Sequence, residues 1–125
     1  MLMANVFVFG SNLAGIHGAG SALHAKQYFG AIHGEGIGRQ GKSYAIPTKD
    51  AKFKALTLDK IKPHVQVFYD YARAHFWESF NVVAIGCGLA GYEPYDIAPI
   101  FSNPPENVNL PKEFIAYLSK PTQVS

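Results

Sequence analysis

The twelve glycines of this 125-residue chain are gathered into two clusters. Nine lie within residues 10–41 and three lie within residues 86–91. Each cluster directly follows a short apolar run, at residues 6–9 and 82–85, and such runs are typical of buried strands. Glycine permits a positive φ and lets the backbone approach a ligand closely. Two such loops at strand ends predict a pocket in which backbone N–H groups bind phosphate.

The length and composition predict one domain that spans residues 1–125. No apolar run approaches the roughly 20 residues that cross a bilayer, and the start lacks the basic region of a signal peptide. Cys87 is the only cysteine, which excludes an internal disulfide, argues against a cysteine-based zinc site and favours a reducing cytoplasm. We therefore predict a cytoplasmic protein with no membrane partner.

Metal and cofactor sites are not predicted. The five histidines show neither H-x-x-x-H nor H-E-x-x-H spacing, and they are His17, His24, His33, His64 and His75. His17 alone lies inside a glycine loop, where it could face a ligand or lie on the surface.

Hydrophobic periodicity and turn residues predict an alternating order of strands and helices. In chain order these are a strand at 5–9, a helix at 18–29, a loop at 31–41, a strand at 43–46, an irregular basic segment at 48–58, a helix from 59 to about 78, a strand at 80–85, a helix at 93–101, a loop at 103–110, a helix at 111–118 and a frayed tail at 120–125. This alternation predicts an α/β fold with largely parallel strands, and both glycine clusters lie at carboxyl ends of strands, where such sheets bind ligands.

Several residues set the predicted boundaries. Gly10 and Pro47 are predicted to stop the first two strands, and Gly30 follows the first helix in the C′ position. Asp59 is the predicted N-cap of the long helix, which places Pro63 in its first turn. The spacing of its apolar residues predicts one buried helix face, made of Ile61, Val65, Phe68, Ala72 and Phe76.

The first candidate site joins the first strand to the first helix. The N–H groups at a helix start lack intrahelical partners and face the positive end of the helix dipole, so a phosphate fits there. A tight turn without a ligand is the alternative, and neither the Walker A pattern nor the G-x-G-x-x-G fingerprint is present. The candidate ligand-binding residues are Gly10, Ser11, Asn12, Gly18, Ala19, Gly20 and Ser21.

The second candidate site follows the last apolar run and holds three glycines in six positions, more than a single turn needs. Its cysteine could be a nucleophile, but a small thiol that packs under the loop is the preferred interpretation. The candidate ligand-binding residues are Gly86, Cys87, Gly88, Leu89, Ala90, Gly91 and Tyr92.

The third candidate site is Thr48 with Lys49, at the end of the second predicted strand. A lysine near an anionic pocket could neutralise phosphate or, when desolvated, act as a nucleophile. The alternative is a surface lysine. Six lysines lie within residues 42–62, opposed by Asp50 and Asp59, which favours either a solvated basic face or attraction for an anionic ligand.

Taken together, these segments resemble a macrodomain, the ADP-ribose-binding module. They are most similar to the branch that contains the terminal ADP-ribose protein glycohydrolase and the antitoxin macrodomains that remove ADP-ribose from DNA. The likeness covers residues 5–101, in matching order and approximate spacing. The segments are Gly18-Ala19-Gly20, Tyr28-Phe29-Gly30, Ile46-Pro47-Thr48-Lys49 and Ile85-Gly86-Cys87-Gly88-Leu89.

The resemblance implies a compact three-layer α/β/α fold in which both glycine loops embrace a pyrophosphate and the distal ribose. It places on Lys49 the lysine that attacks the anomeric carbon, with His17 or Asp50 as candidates for proton transfer. Two positions depart from the family pattern. Ala90 stands where the glycohydrolase has an acidic residue, for which Asp50 or Glu93 would have to substitute.

The second departure is at the start of the chain, which begins after the family's strand with an adenine-binding Gly-Asp pair, so we expect a smaller, mixed sheet. The loop at 31–41, with Glu35 and Arg39, is expected to rebuild part of the pocket. The leading hypothesis is a protein that binds ADP-ribose or a related NAD-derived nucleotide, alone or attached to protein or nucleic acid. Hydrolysis of an ADP-ribosyl linkage, a non-catalytic nucleotide-binding module and a structural or interaction domain remain alternatives.

Overall fold

The structure is a computed structural model that describes residues 4–118. Its elements are β1 (Ala4–Asn12), α1 (Gly20–Tyr28), β2 (Gly38–Gln40), β3 (Ser43–Lys49), α2 (Leu58–Ala74), β4 (Glu78–Val82), α3 (Pro94–Ile97), a 3₁₀ turn (Ala98–Phe101), β5 (Val108–Asn109) and α4 (Lys112–Leu118).

One mixed, mostly parallel sheet organises the chain, in the strand order β2-β3-β1-β4-β5. β1 lies at its centre and pairs in parallel with both β3 and β4, and β4 pairs in parallel with β5. Only β2 runs antiparallel, against β3. This confirms the predicted α/β class and the mixed, largely parallel sheet.

The main hydrophobic core lies on the sheet face that α2, α3, the 3₁₀ turn and α4 cover. The buried face of α2 follows the predicted helical spacing, because Ile61, Val65, Phe68 and Ala72 are all buried. From the sheet, Val6 and Val8 of β1 enter the same core, as expected for alternate residues of one strand.

A smaller core lies on the opposite face, under α1. Phe9 and Ala45 from the sheet pack there with Ala22 and Ala25 of α1 and with Ala31. The helices on the two faces give the three layers of the α/β/α arrangement.

The β4–β5 half of this second face carries exposed amide side chains instead. Asn81 donates a hydrogen bond to Asn5 and accepts one from Asn109, at 3.2 and 2.9 Å. A single helix therefore covers the β1–β3 half of this face.

The predicted stops of the first two strands are wrong. β1 continues through Gly10 to Asn12, because its pairing with β3 extends to the end of both strands. β3 continues through Pro47 to Lys49. The missing N–H of Pro47 is tolerated because β2 pairs only as far as Ala45, so β3 has one neighbouring strand at this point.

Three other strand predictions need correction. β2 lies inside the predicted loop at 31–41, and β5 lies inside the predicted loop at 103–110. Both are too short to show a period of two in the sequence. β4 begins at Glu78 rather than at residue 80, and it ends at Val82 rather than at residue 85. From Val83 onward the chain lines the candidate site.

The first two helices also differ from their predicted bounds. α1 begins at Gly20, two residues after the predicted start. α2 has Thr57, not Asp59, as its N-cap, so Pro63 is its sixth residue and removes one intrahelical hydrogen bond. It ends at Ala74, which leaves Phe76 outside the helix and exposed.

The later helices follow the prediction more closely. The predicted helix at 93–101 is α3 with the 3₁₀ turn, capped by Glu93, and α4 begins one residue after Pro111. The tail at 120–125 lies outside the described residues.

Candidate functional site

A cavity of about 560 Å³ lies beyond the carboxyl ends of β1, β3 and β4. Its volume falls within the range of sites for small molecules and cofactors. Both glycine clusters and the end of β3 line it. The lining residues are Gly10, Ser11, Asn12, Ile16, Gly18, Ala19, Gly20, Ser21, Ala22, Thr48, Lys49, Phe53, Val83, Ala84, Ile85, Gly86, Gly88, Leu89 and Ala90.

Asn12 folds the first glycine loop back on itself. Its side chain accepts a hydrogen bond from the amide of Ile16 at 3.1 Å and donates one to the carbonyl of Ile16 at 2.8 Å. Because Asn12 is buried at the end of β1, this pair of bonds fixes the loop to the sheet. The chain is thereby directed across the cavity into α1.

The N-terminus of α1 presents unpaired N–H groups to the cavity. Its N-cap is Ala19, which has no side-chain oxygen to cap the helix, and the first turn contains no acidic residue. Within residues 4–118, the amides of Gly20, Ser21 and Ala22 have no hydrogen-bond acceptor. These three amides and the helix dipole favour an anion in the cavity.

The second glycine loop presents a similar run of amides. It is closed by hydrogen bonds from the Tyr92 amide to the Gly86 carbonyl, at 2.9 Å, and from the Gly91 amide to the Gly88 carbonyl, at 3.0 Å. Across the described part of the chain, the amides of Gly88, Leu89 and Ala90 have no acceptor. A run of free amides in such a loop forms a concave site for an anion.

Gly18 and Gly88 have no structural requirement for glycine. Neither has a positive φ. A Cβ on Gly88 would meet no atom within 4 Å, and one on Gly18 would touch only the Ile16 side chain at 4.0 Å. Both line the cavity, where the absence of a side chain leaves their backbone open to a ligand.

Among the described residues, Lys49 is the only charged side chain in the cavity lining, and it is partly buried. No carboxylate within residues 4–118 forms an ion pair with it. Its Nζ lies 5.8 Å from the centroid of the Phe53 ring, which permits a cation–π contact. Thr48 beside it is buried, and its hydroxyl donates a weak hydrogen bond of 3.4 Å to the Ser11 carbonyl. The lining is therefore cationic and free of acidic groups.

The predicted proton-transfer residues lie outside the lining. His17 is 1% exposed, and its Nε2 lies 3.1 Å from the carbonyl of Ile32 and 3.0 Å from that of Glu35, so this nitrogen carries the proton and donates. Its Nδ1 is buried with no hydrogen-bond partner in the described region. His17 holds the first glycine loop against the loop that follows α1.

Asp50 turns away from Lys49 and toward the backbone of its own turn. Its Oδ1 accepts hydrogen bonds from the amides of Lys54 and Lys52, at 3.0 and 2.8 Å. These bonds hold the pKa of Asp50 below its usual range. The carboxylate is thus an ionised cap of the turn.

Three predicted residues of the second loop, Cys87, Gly91 and Tyr92, also lie outside the lining. Burial, with smaller effects from the carboxylates of Glu93, Glu113 and Asp96, raises the pKa of the Cys87 thiol, so it is not an activated nucleophile. The Tyr92 hydroxyl donates to the Leu56 carbonyl at 2.6 Å and anchors the loop.

The loop at 31–41 does not reach the cavity. Arg39 forms a two-bond ion pair with Glu78, at 2.7 and 2.8 Å, and Glu35 binds His17 through its carbonyl. The expectation that this loop rebuilds the pocket is wrong, because its polar groups are used to brace β1, β3 and β4.

Six lining residues were not predicted from the sequence, and they are Ile16, Ala22, Phe53, Val83, Ala84 and Ile85. Ile16 and Ala22 border predicted positions, and residues 83–85 follow the end of β4 at Val82, where the sequence predicted that the strand continues. Phe53 has no motif that could have marked it. Among residues 4–118, no three His, Cys, Asp or Glu side chains lie close enough to hold a metal ion together.

Within the same residues, no helix is both long and apolar enough to cross a membrane. No protein-family model matches the chain, and neither a curated protein nor a solved structure matches it. The likeness to macrodomains consequently remains one of short sequence segments.

Proposed function

We propose that the protein binds ADP-ribose or a related NAD-derived nucleotide in this cavity. The observation that carries the proposal is the convergence of two runs of free amides, at 20–22 and 88–90, on a cavity in which Lys49 is the only charged side chain among residues 4–118. Each run can donate hydrogen bonds to phosphate oxygens, and Lys49 supplies positive charge beside them.

Two separate runs of amides favour a diphosphate over a single phosphate, since each run can serve one phosphate group. Apolar lining on both sides supports the rest of a nucleotide, with Ile16 and Leu89 at 42% and 71% exposure next to the amides. Among diphosphates, ADP-ribose is favoured by the macrodomain-like segments. The ligand could be free or attached to protein or nucleic acid, and a cytoplasmic location belongs to the same proposal.

Binding without turnover is favoured because, among the described residues, no carboxylate or histidine that could act as a general acid or base lines the cavity. Ala90 presents a methyl group there, and the carboxylate of Asp50 caps its own turn. Glu93 lies outside the lining as the N-cap of α3, where its amide donates a hydrogen bond to the Asp96 carboxylate at 3.0 Å. Neither of the two carboxylates that could have replaced the acidic residue lies in the lining.

Hydrolysis of an ADP-ribosyl linkage is the second candidate, and the position of Lys49 in the lining supports it. The neutral amine would form a bond to the anomeric carbon as the bond to the leaving group breaks, and the leaving group would take a proton from water. A second water molecule would then add to the anomeric carbon as the bond from this carbon to the Lys49 nitrogen breaks, which releases ADP-ribose and the neutral amine, and the hydroxide left by the first step would take the proton that this water loses.

Isothermal titration calorimetry with ADP-ribose, ADP and NAD tests the proposal. Binding of ADP-ribose is expected, together with its loss in Gly88→Glu. Absence of binding heat for all three ligands would overturn the proposal. Release assays on ADP-ribosylated protein and DNA separate the two candidates, because turnover that disappears in Lys49→Ala would select hydrolysis.

A further inference from the structure

Phe53 adopts a backbone conformation that a large side chain normally avoids. Its φ is 66°, in the left-handed region where Cβ approaches the neighbouring carbonyl oxygen. A residue held in this way depends on the surrounding structure to maintain it, and such residues gather at functional sites.

The turn after β3 maintains this conformation with four hydrogen bonds through Asp50. Its carboxylate accepts from the amides of Lys52 and Lys54, its carbonyl accepts from the Phe53 amide at 3.1 Å, and its own amide donates to the Lys54 carbonyl at 2.8 Å. A bridge between Lys49 and Ala55 closes the turn. The backbone is therefore fixed on both sides of Phe53.

The ring of Phe53 lies at the cavity and belongs to neither of the two hydrophobic cores. It is 49% exposed, lines the cavity, and makes no stacking contact with another aromatic ring in the described residues. The Nζ of Lys49 lies 5.8 Å from the centroid of this ring. The turn thus holds a half-exposed aromatic surface beside the Lys49 cation of the cavity.

We propose that Phe53 is a specificity-determining residue whose ring packs flat against a sugar or base ring of the bound nucleotide, next to Lys49. This inference rests on the proposed function, because it needs a phosphorylated ligand held by the amides. The Phe53 ring then selects ligands that carry a ring in addition to phosphate. Inorganic pyrophosphate and ring-free phosphates bind through the amides and Lys49 alone.

The test compares Phe53→Gly, Phe53→Ala and Phe53→Tyr by calorimetry with pyrophosphate, ribose 5-phosphate, AMP and ADP-ribose. Both small substitutions are expected to weaken ADP-ribose binding roughly 5- to 150-fold, the range for loss of one stacked ring. They should leave pyrophosphate affinity unchanged, and Phe53→Tyr should retain wild-type affinity. A loss shared by ribose 5-phosphate and AMP identifies the contacted ring as the sugar, and a loss for AMP without one for ribose 5-phosphate identifies it as the base. Phe76→Ala removes an exposed aromatic ring outside the cavity and is the matched control.

Thermal unfolding separates loss of the ring from damage to the turn. Glycine relieves the left-handed conformation and alanine does not, so Phe53→Gly should unfold at a higher temperature than Phe53→Ala while binding equally weakly. Unchanged ADP-ribose affinity in both variants would overturn the role of Phe53 and leave the proposed function intact. An equal loss of pyrophosphate affinity would also overturn it. A wild-type protein that binds none of the four ligands would overturn the proposed function itself.

Discussion

The backbone of Gly36 lies against the carbonyl oxygen of Asn12 so closely that a Cβ on Gly36 would sit 2.0 Å from that oxygen. The Ser11 hydroxyl donates a hydrogen bond to the Gly36 carbonyl, and the Gly34 amide donates to the Gly15 carbonyl at 2.8 Å. Residues 34–36 therefore form a support behind the first glycine loop. Glycines of this chain thus serve two purposes, close backbone packing here and an open cavity wall at Gly18 and Gly88.

Gly36→Ala should destabilise the protein by about 2–3 kcal/mol, because the added methyl group overlaps the Asn12 carbonyl and the loop must move. Chemical denaturation measures the loss. Gly18→Ala is the control, since its Cβ enters open space, and its stability should stay within about 0.5 kcal/mol of wild type. Equal stability of the two variants would contradict the close packing.

Gly88→Glu should abolish nucleotide binding without unfolding the protein. The new side chain enters the cavity and brings a negative charge next to the free amides, while its Cβ meets no protein atom within 4 Å. Calorimetry and thermal unfolding measure the two effects separately. Gly91→Glu is not a suitable control because Gly91 has a φ of 85°, so Glu106→Gln, at an exposed position outside the cavity, serves instead. Retained affinity in Gly88→Glu would show that the second loop does not contact the ligand.

Lys49→Ala should weaken binding of ADP-ribose by about tenfold or more, the loss of one charge-assisted hydrogen bond. The affinity of the wild type should fall with rising salt more steeply than that of the variant, because salt screens the lysine charge. Lys60→Ala is the control, as this lysine is exposed and lies outside the cavity lining. Equal losses in both variants would indicate general attraction by the basic segment instead of a role for Lys49 in the site.

Glu78→Gln should lower stability by about 1–3 kcal/mol at neutral pH, since it removes a charged partner of Arg39. Hydrogen bonds from Arg39 hold the pKa of Glu78 below its usual range in the folded state. The stabilisation that the Arg39–Glu78 pair gives the folded state is therefore complete above the unfolded-state pKa of glutamate, about 4.3. It disappears as pH falls through the lower pKa of Glu78 in the folded state. Urea unfolding at about pH 7 and about pH 3 should show a large difference between variant and wild type at the first and a small one at the second. A difference that is the same at both pH values would rule out the ion pair as its cause.

The elements that the sequence predicted well are those with strong local signals. The spacing of Ile61, Val65, Phe68 and Ala72 reports helical packing directly, and the glycine clusters mark chain segments that leave the sheet. Short β2 and β5 could not be predicted, since their strand conformation comes from pairing with distant residues. Pro47 and Gly10 were misleading for the same reason, because neighbouring strands decide whether a local breaker ends a strand.

The site residues that could be predicted are those whose role follows from their position in the chain alone. Free amides at a helix start follow from position, so Gly20 and Ser21 could be placed beside the cavity. His17 could not be assigned in this way, because whether a loop histidine faces a ligand or a carbonyl depends on the path of residues 31–36. Phe53 could not be predicted as a site residue for a related reason. Its left-handed φ is imposed by hydrogen bonds to Asp50 and not by the conformational preference of phenylalanine.

The two hydrophobic cores place the two runs of amides on separately packed parts of the molecule. α1 rests on the smaller core, whereas Ile85, which leads into the second loop, belongs to the larger one. A ligand that accepts hydrogen bonds from both runs would connect α1, which rests on the smaller core, to the side of the sheet that carries the larger core. Ligand binding would then make α1 more rigid, so amide hydrogen exchange would slow most in this helix. The interior of α2 would still exchange only through global unfolding.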